Sequence, residues 1–505
     1  MNISNKGDKG FKRVWMSMCE RKVPCDISNE FTMPDYKPEI RRVLHVTSVI
    51  SQPTRYINSN VAEFNGNIDY NVLYVGADGE LHSMPFSAEY SFEVPVDADG
   101  FDFKDEITSC CDTLVEGINV RVLGPRKLNV KCRLNSQVRI YGQKFIDQDF
   151  DLENSKNCIQ TLEAKVNNSK IIRVCADTLD ISDETHLSGI NQGVITANAN
   201  VHIHSIKTLN DMVSVDGDII LKLLCADMED TFKNKVVTKK IPYSTEIEAE
   251  GSTPESICIA KGYVDELNVT VEEDRIICDM SVCLQLEGQT DEEISFVRDL
   301  YSTKRESTCL QKSYNIPCVG YAENGNFSMN EKLSREGLVT LPETFEIVDV
   351  YGCAASESIE ENDGKLELRG SSKFTLIIKS NDEYSSQDIT LPLKYVFDSP
   401  GKNITSYCNE MSVISCTARW DGEFVSIDAE VGVVSVGLSL NEVSVVDEVK
   451  LGEDIEKSKS AITVVYPSAD EDLWSVAKRY HVPICEIEMK NPDVLTVLTN
   501  TYLIV

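Results

Sequence analysis

The chain repeats itself at long range, and this constrains its fold more than any local feature does. Three segments share one order: a short polar turn with glycine, an apolar run of strand length, a charged turn and a proline. In the first, Gly66 leads into Ile68-Asp69-Tyr70-Asn71-Val72-Leu73-Tyr74-Val75, then Asp78-Gly79-Glu80 and Pro85-Phe86. In the second, Gly217 leads into Ile219-Ile220-Leu221-Lys222-Leu223-Leu224, then Asp227, Glu229 and Pro242-Tyr243. In the third, Gly370 leads into Phe374-Thr375-Leu376-Ile377-Ile378, then Asp382-Glu383 and Pro392-Leu393. The glycines stand 151 and 153 residues apart. Several features recurring in order at a near-constant offset mark copies of one domain of ordinary size.

Downstream of each glycine a second pattern recurs, with apolar residues at every other position. They are Leu128, Val130, Cys132, Leu134, Val138 and Ile140 in the first copy. Ile276, Cys278, Met280, Val282, Leu284 and Leu286 follow in the second, and Val425, Ile427, Ala429, Val431 and Val433 in the third. Alternation of this kind puts one set of side chains on one face of a half-buried antiparallel strand. Gly124-Pro125-Arg126, Glu272-Glu273-Asp274 and Asp421-Gly422 are the turns that open these strands. Lys22 to Cys25, Lys170 to Cys175 and Lys312 to Cys318 predict a further strand at the head of each copy. The fold expected is mostly β: three repeated antiparallel β domains over 11–145, 150–290 and 295–446, a charged linker over 447–460, and a small module over 461–505.

Composition narrows the function. Lys and Arg number 49 against 82 Asp and Glu, a net charge of −33 over 505 residues. So negative a chain is a poor general ligand for nucleic acid or for anionic membranes. The apolar runs are strand-sized, far short of the ~18–20 residues of a membrane-spanning helix. Residues 1–13 are basic but lead into no apolar h-region, so no secretory signal is expected and a cytosolic location is. Only six histidines occur, and no G-x-x-x-x-G-K-[ST], G-x-S-x-G or H-E-x-x-H is present. No enzyme activity, catalytic residue, metal or cofactor is therefore expected. His202 and His204 share a strand face but have no further ligand nearby in sequence. The seventeen cysteines are scattered. Cys132, Cys225 and Cys278 sit where a small apolar side chain would serve, and buried reduced thiols are expected there, the alternative being late oxidative crosslinking in an assembled layer.

The C-terminal module reads differently. Ile462 to Tyr466 has strand character, and Leu473, Val476, Ala477 and Tyr480 form one apolar helical stripe. Asp470, Glu471 and Asp472 precede that stripe, and Lys478 and Arg479 close it, as the helix dipole favours. A second short helix over Ile484 to Lys490 stops at Asn491-Pro492, and Leu503-Ile504-Val505 makes a last strand. The order is β-α-α-β. Thr463-Val464, Asp470, Leu473 to Tyr480, Val482, Ile487, Asn491-Pro492 and Leu503 to Val505 together resemble a LysM domain. Two loops depart from the LysM pattern. Ser468-Ala469-Asp470 stands for the usual Gly-Asp turn, and Leu498-Thr499-Asn500 for the usual Pro-Gly-Gln.

With such a tail, the repeats resemble the SPOCS family of spore coat and exosporium proteins, best of all at Val72 to Val75, Asp78-Gly79-Glu80 and Pro85-Phe86. The resemblance implies a non-enzymatic coat morphogenetic scaffold or adaptor, made in the mother-cell cytoplasm and recruited to the forespore surface. It implies that the tail grips the coat's basement-layer ATPase, with other coat proteins as further partners, and sheet edges offer a route to self-assembly. The alternative is a protein binding peptidoglycan through N-acetylglucosamine. The contact residues expected on the tail, for either ligand, are Asp470, Trp474, Lys478, Arg479 and Asn491.

Overall fold

The computed structural model describes residues 11–58, 60–97, 99–101, 107–148, 150, 158–186, 193–226, 234–272, 275–334, 338, 341–342, 344–401, 404–456, 462–468, 471–492 and 502–505. The first segment holds β1 (Phe11–Thr32), β2 (Ile40–Ile50), β3 (Thr54–Ile57), β4 (Val61–Gly76), β5 (Leu81–Pro95), β6 (Ile107–Gly124) and β7 (Lys127–Asp147). The second holds β8 (Ile159–His186), β9 (Val194–Leu209), β10 (Met212–Ala226), β11 (Asn234–Glu248), β12 (Ile257–Glu272) and β13 (Arg275–Ser302). The third holds β14 (Arg305–Ser334), β15 (Glu346–Asn362), β16 (Lys365–Ser380), β17 (Glu383–Asp398), β18 (Ile404–Trp420) and β19 (Phe424–Asp454).

One strand order occurs in all three segments. The last strand lies between the first and the penultimate, giving the antiparallel sheets β1-β7-β6, β8-β13-β12 and β14-β19-β18. The strands between form β2-β4-β5, with β3 also on β4, then β9-β10-β11 and β15-β16-β17. Each segment's core lies between its two sheets. Leu128 to Leu134 of β7 face Ile68, Tyr70 and Val72 of β4. Ile276 to Leu286 of β13 face Ile219, Leu221 and Leu223 of β10, and Val425 to Val433 of β19 face Phe374, Leu376 and Ile378 of β16. Burying each such side chain contributes roughly 1.5–3 kcal/mol.

The three glycines lie inside strands rather than in turns. Gly66, Gly217 and Gly370 pair with Tyr90, Tyr243 and Leu393 on the neighbouring strand. A Cβ on Gly66 would stand 2.6 Å from the Tyr90 ring, and one on Gly217 would stand 2.4 Å from both the Tyr243 hydroxyl and the His202 carbonyl. On Gly370 it would meet the Ala355 carbonyl at 2.3 Å. The glycine is required because a neighbour occupies the space above the strand.

The charged stretch read as a linker begins as strand. β19 runs to Asp454, its end paired with β14 from Arg305 to Leu310. Ladder hydrogen bonds order a solvated ribbon here with few large apolar side chains. Each segment has such a two-stranded extension: β12 leaves β13 at Gln289, whereas β8 follows it to Ser302. Val14, Ile146, Phe296, Ile316, Val443 and Val445 from the three extensions pack together.

The segments also join where their middle sheets meet. Leu73, Leu224 and Ile377, each seven residues after its glycine, share one apolar cluster. Their ladder partners are His45, Thr196 and Asp349. Lys222 pairs with buried Asp349 and lies 4.7 Å from the centre of the Tyr351 ring. His45 stacks on the same ring at 4.4 Å. Further along, the Asn168 amide is held between segments: its Oδ1 accepts from Trp15 N at 3.0 Å, and its Nδ2 donates to Trp15 O at 3.1 Å and Pro317 O at 3.3 Å. Gln148 does likewise, accepting from Val297 N at 2.9 Å and donating to Val297 O at 3.1 Å and Val446 O at 3.5 Å.

Gly217→Ala should cost about 2–4 kcal/mol and lower the urea midpoint. Gly117→Ala, where a Cβ meets nothing within 4 Å, should stay within about 0.5 kcal/mol. Burial lowers the His45 pKa to about 4 from 6.5, with Asp388 opposing and Lys373 and Lys222 assisting. Unfolding therefore takes up a proton between those values, and stability complete above pH 6.5 is lost as the pH falls towards 4. The loss between pH 7 and 5 should be about 2 kcal/mol. His45→Phe, which keeps a ring on Tyr351, should flatten that part of the melting-temperature profile.

Candidate functional site

The tail comprises β20 (Val464–Val465), α1 (Leu473–Tyr480), α2 (Ile484–Lys490) and β21 (Leu503–Ile504), with β20 and β21 antiparallel. Asp472 caps α1, its Oδ1 accepting from the Ser475 hydroxyl and from Ser475 N at 2.8 Å, and those bonds hold its carboxyl below the usual range. His481 ends α1 with φ of 54°, in the left-handed region. Of the stripe read from the sequence, Val476 and Ala477 are buried and Tyr480 is exposed; Trp474, outside that stripe, is buried beside them.

The buried face of α1 meets the body of the protein at the end of β13. Trp474 packs edge-on against Tyr301, ring centres 5.0 Å apart, and its Nε1 donates to Asp299 Oδ2 at 2.8 Å. Lys478 Nζ lies 2.6 and 2.8 Å from the two oxygens of the same carboxylate. Tyr301 Oη donates to Val482 O at 2.7 Å, and His481 Nδ1 lies 3.0 Å from Ser302 O. Tyr301 shares one buried cluster with Val465, Trp474, Val476, Ala477, Ile487 and Leu503.

Of the five residues expected to make contacts, Trp474 and Lys478 thus converge on Asp299. Arg479 points elsewhere, 2.9 Å from Glu471, and is about half exposed. Asn491 is buried: it donates to Ile487 O at 2.7 Å and Ile504 O at 2.9 Å, and accepts from Ile504 N at 2.8 Å, fastening β21 to α2. Asp470 and the loop Leu498-Thr499-Asn500 lie outside the described residues. Ile462, Val464, Tyr466, Met489 and Tyr502 are exposed, with the Tyr466 and Tyr502 rings 6.4 Å apart. Asp299 and Tyr301 were not singled out by sequence reasoning. One aspartate among 82 acidic residues carries no local mark.

Elsewhere His202 and His204 lie 6.1 Å apart, with His204 Nδ1 3.4 Å from Asp218. Cys132, Cys225 and Cys278 lie in the segment cores. No helix among the described residues is long and apolar enough to cross a membrane. Asp299→Ala should loosen the tail without disturbing the sheets, at a local cost of about 1–3 kcal/mol. Amide exchange over residues 473–480 should speed by at least ~10-fold, the β-sheet circular dichroism staying constant; unchanged exchange would assign the docking to packing on Tyr301 alone.

The family model described as SipL, SPOCS domain matches residues 192–272, which span β9 to β12 of the second segment. No curated protein and no solved structure matches the chain. The match supports a SPOCS family of the SipL type, and with it a sporulation-related, coat-associated role.

Proposed function

We propose that this chain is a non-enzymatic morphogenetic scaffold of the spore coat, built from three SPOCS-like domains and tethered by a LysM-like tail to a basement-layer protein on the forespore surface. The observation that carries the reading is the SPOCS match over 192–272. The strand order of that segment recurs on either side of it, which favours extending the reading to the first and third. The exposed apolar side chains of the tail suit a protein partner better than a polar glycan. The basement-layer ATPase implied by the SPOCS resemblance is the partner proposed, with the mother-cell cytoplasm as the site of synthesis.

The sheet edges bear on how such a scaffold would assemble. The outer strands β5, β11 and β17 carry Pro85, Pro242 and Pro392. In the other sheet of each segment, the edge strands β6, β12 and β18 are bulged at Val115/Gly117, Val264/Glu266 and Val413/Ser415. Proline and bulges both discourage strand addition. Lateral contacts through side-chain surfaces are therefore favoured over edge-to-edge pairing.

Removing residues 461–505 should leave the sheets folded and delocalise a fluorescent fusion in sporulating cells. Coat localisation retained by the truncated chain would remove the tethering role. Sedimentation of the full chain with purified peptidoglycan would favour the glycan-binding alternative, and release of soluble muropeptides would overturn the scaffold reading.

A further inference from the structure

The three segments meet once more at a buried ionic junction. Cys110, Ile259 and Cys408 stand at one ladder position of β6, β12 and β18, opposite Arg139, Glu287 and Val436. Two residues beyond each of the former come Asp112, Lys261 and Glu410. Equivalent positions thus hold a cation, an anion and an apolar group in one set, and an anion, a cation and an anion in the other. Arg139 Nη2 lies 3.1 Å from Asp112 and 2.8 Å from Glu287. Lys261 Nζ lies 2.9 Å from Asp112 and 2.7 Å from Glu410. The Arg139 side chain is 2% exposed, and those of Asp112 and Glu287 are 8% exposed. Burial alone would lower the Lys261 pKa, yet the Glu410 and Asp112 carboxylates hold it well above its ordinary value. Val436 needs no ionic partner and packs with Ile259 and Cys408.

A buried network of this kind adds little stability over apolar packing, because desolvation offsets the attraction. Its distinctive property is that it tells similar segments apart. With the third segment's residues in the second position, a glutamate would face Asp112 and a valine would face Arg139. With the second segment's residues in the third position, a second lysine would face Lys261. The ladders, the glycines and the apolar faces discriminate far less, since they recur in all three.

We propose that the ionic junction assigns each segment its seat, so that the three close in one order only. Segments seated wrongly come mostly from a second copy of the chain, because the short Ser302-to-Arg305 connection limits rearrangement within one. Without the charges, misassembly therefore yields oligomers.

The test is refolding of the full chain from denaturant over a range of concentrations, followed by light scattering. In one variant the junction becomes apolar through Asp112→Val, Arg139→Met, Lys261→Met, Glu287→Leu and Glu410→Leu. It should melt near the wild type yet give an oligomer fraction that rises several-fold with concentration, where the wild type stays monomeric. A second variant, Lys261→Glu with Glu410→Lys, keeps the net charge and exchanges the seats; it should misassemble as well. Complete refolding of the apolar variant to monomer would overturn the proposal, and so would its failure to fold, since the charges would then supply stability. Wild-type refolding of the exchanged pair would overturn it too, by showing that neutralisation alone suffices.

Discussion

A polar group carried to a place where three β-sheets converge must find its partners there, because water does not reach it. Arg139, Asn168, Gln148 and Lys222 each meet this condition by reaching into another segment. Losing one partner while the segments stay closed would strand an amide or a charge at any of these points, which for a buried ion pair costs about 3–5 kcal/mol. Apolar area therefore supplies the attraction between the three segments, and these polar contacts require that the matching groups meet. The same condition explains why equivalent positions differ. Asn168 uses its oxygen and its amide nitrogen on backbone groups of Trp15 and Pro317, and proline presents no N–H that would need an acceptor.

Long strands follow from the joint. β14 and β19 have 30 and 31 residues, well beyond the usual ~5–6. One end of each strand builds its own segment and the other end builds the contact with its neighbours. The middle sheets converge at a different place, on Leu73, Leu224 and Ile377. Two separate contact zones resist rocking about either one. A bulge displaces each outer edge strand at the same ladder position, so the edges left over are poor templates for further pairing.

The sequence makes some of this legible and hides the rest for physical reasons. Period-2 alternation in β7, β13 and β19 identifies their buried faces, because side-chain direction in a strand depends only on position parity. The glycine spacing locates the middle strands but not the glycine's role, since the demand comes from Tyr90 or Tyr243 on the next strand. Helix α1 is legible from its stripe, and its partner Asp299 is not. The stripe reports that a face is buried, while what it is buried against lies 175 residues away. The stretch 447–454 misleads for the converse reason: composition reports solvent exposure, and an exposed ribbon and a linker share it. Arg139 and Lys261 resemble any surface cations on alternating strands until the segments are brought together.

The position of α1 bears on what a tether can do. A tail on a flexible linker would let the body adopt any orientation about its attachment point. Here the Asp299 carboxylate takes a hydrogen bond from Trp474 and an ion pair from Lys478, while Tyr301 fills the space beneath the helix. The Lys478 charge is partly solvated, so the ion pair adds little; the Trp474 hydrogen bond and the buried cluster around Tyr301 supply the larger share. With Trp474, Val476 and Ala477 turned inward, the tail leaves the apolar and aromatic side chains of Ile462, Val464, Tyr466 and Tyr502 exposed. A protein held through that surface would be held at a fixed angle to the three segments, and a layer grown from such units would inherit that angle.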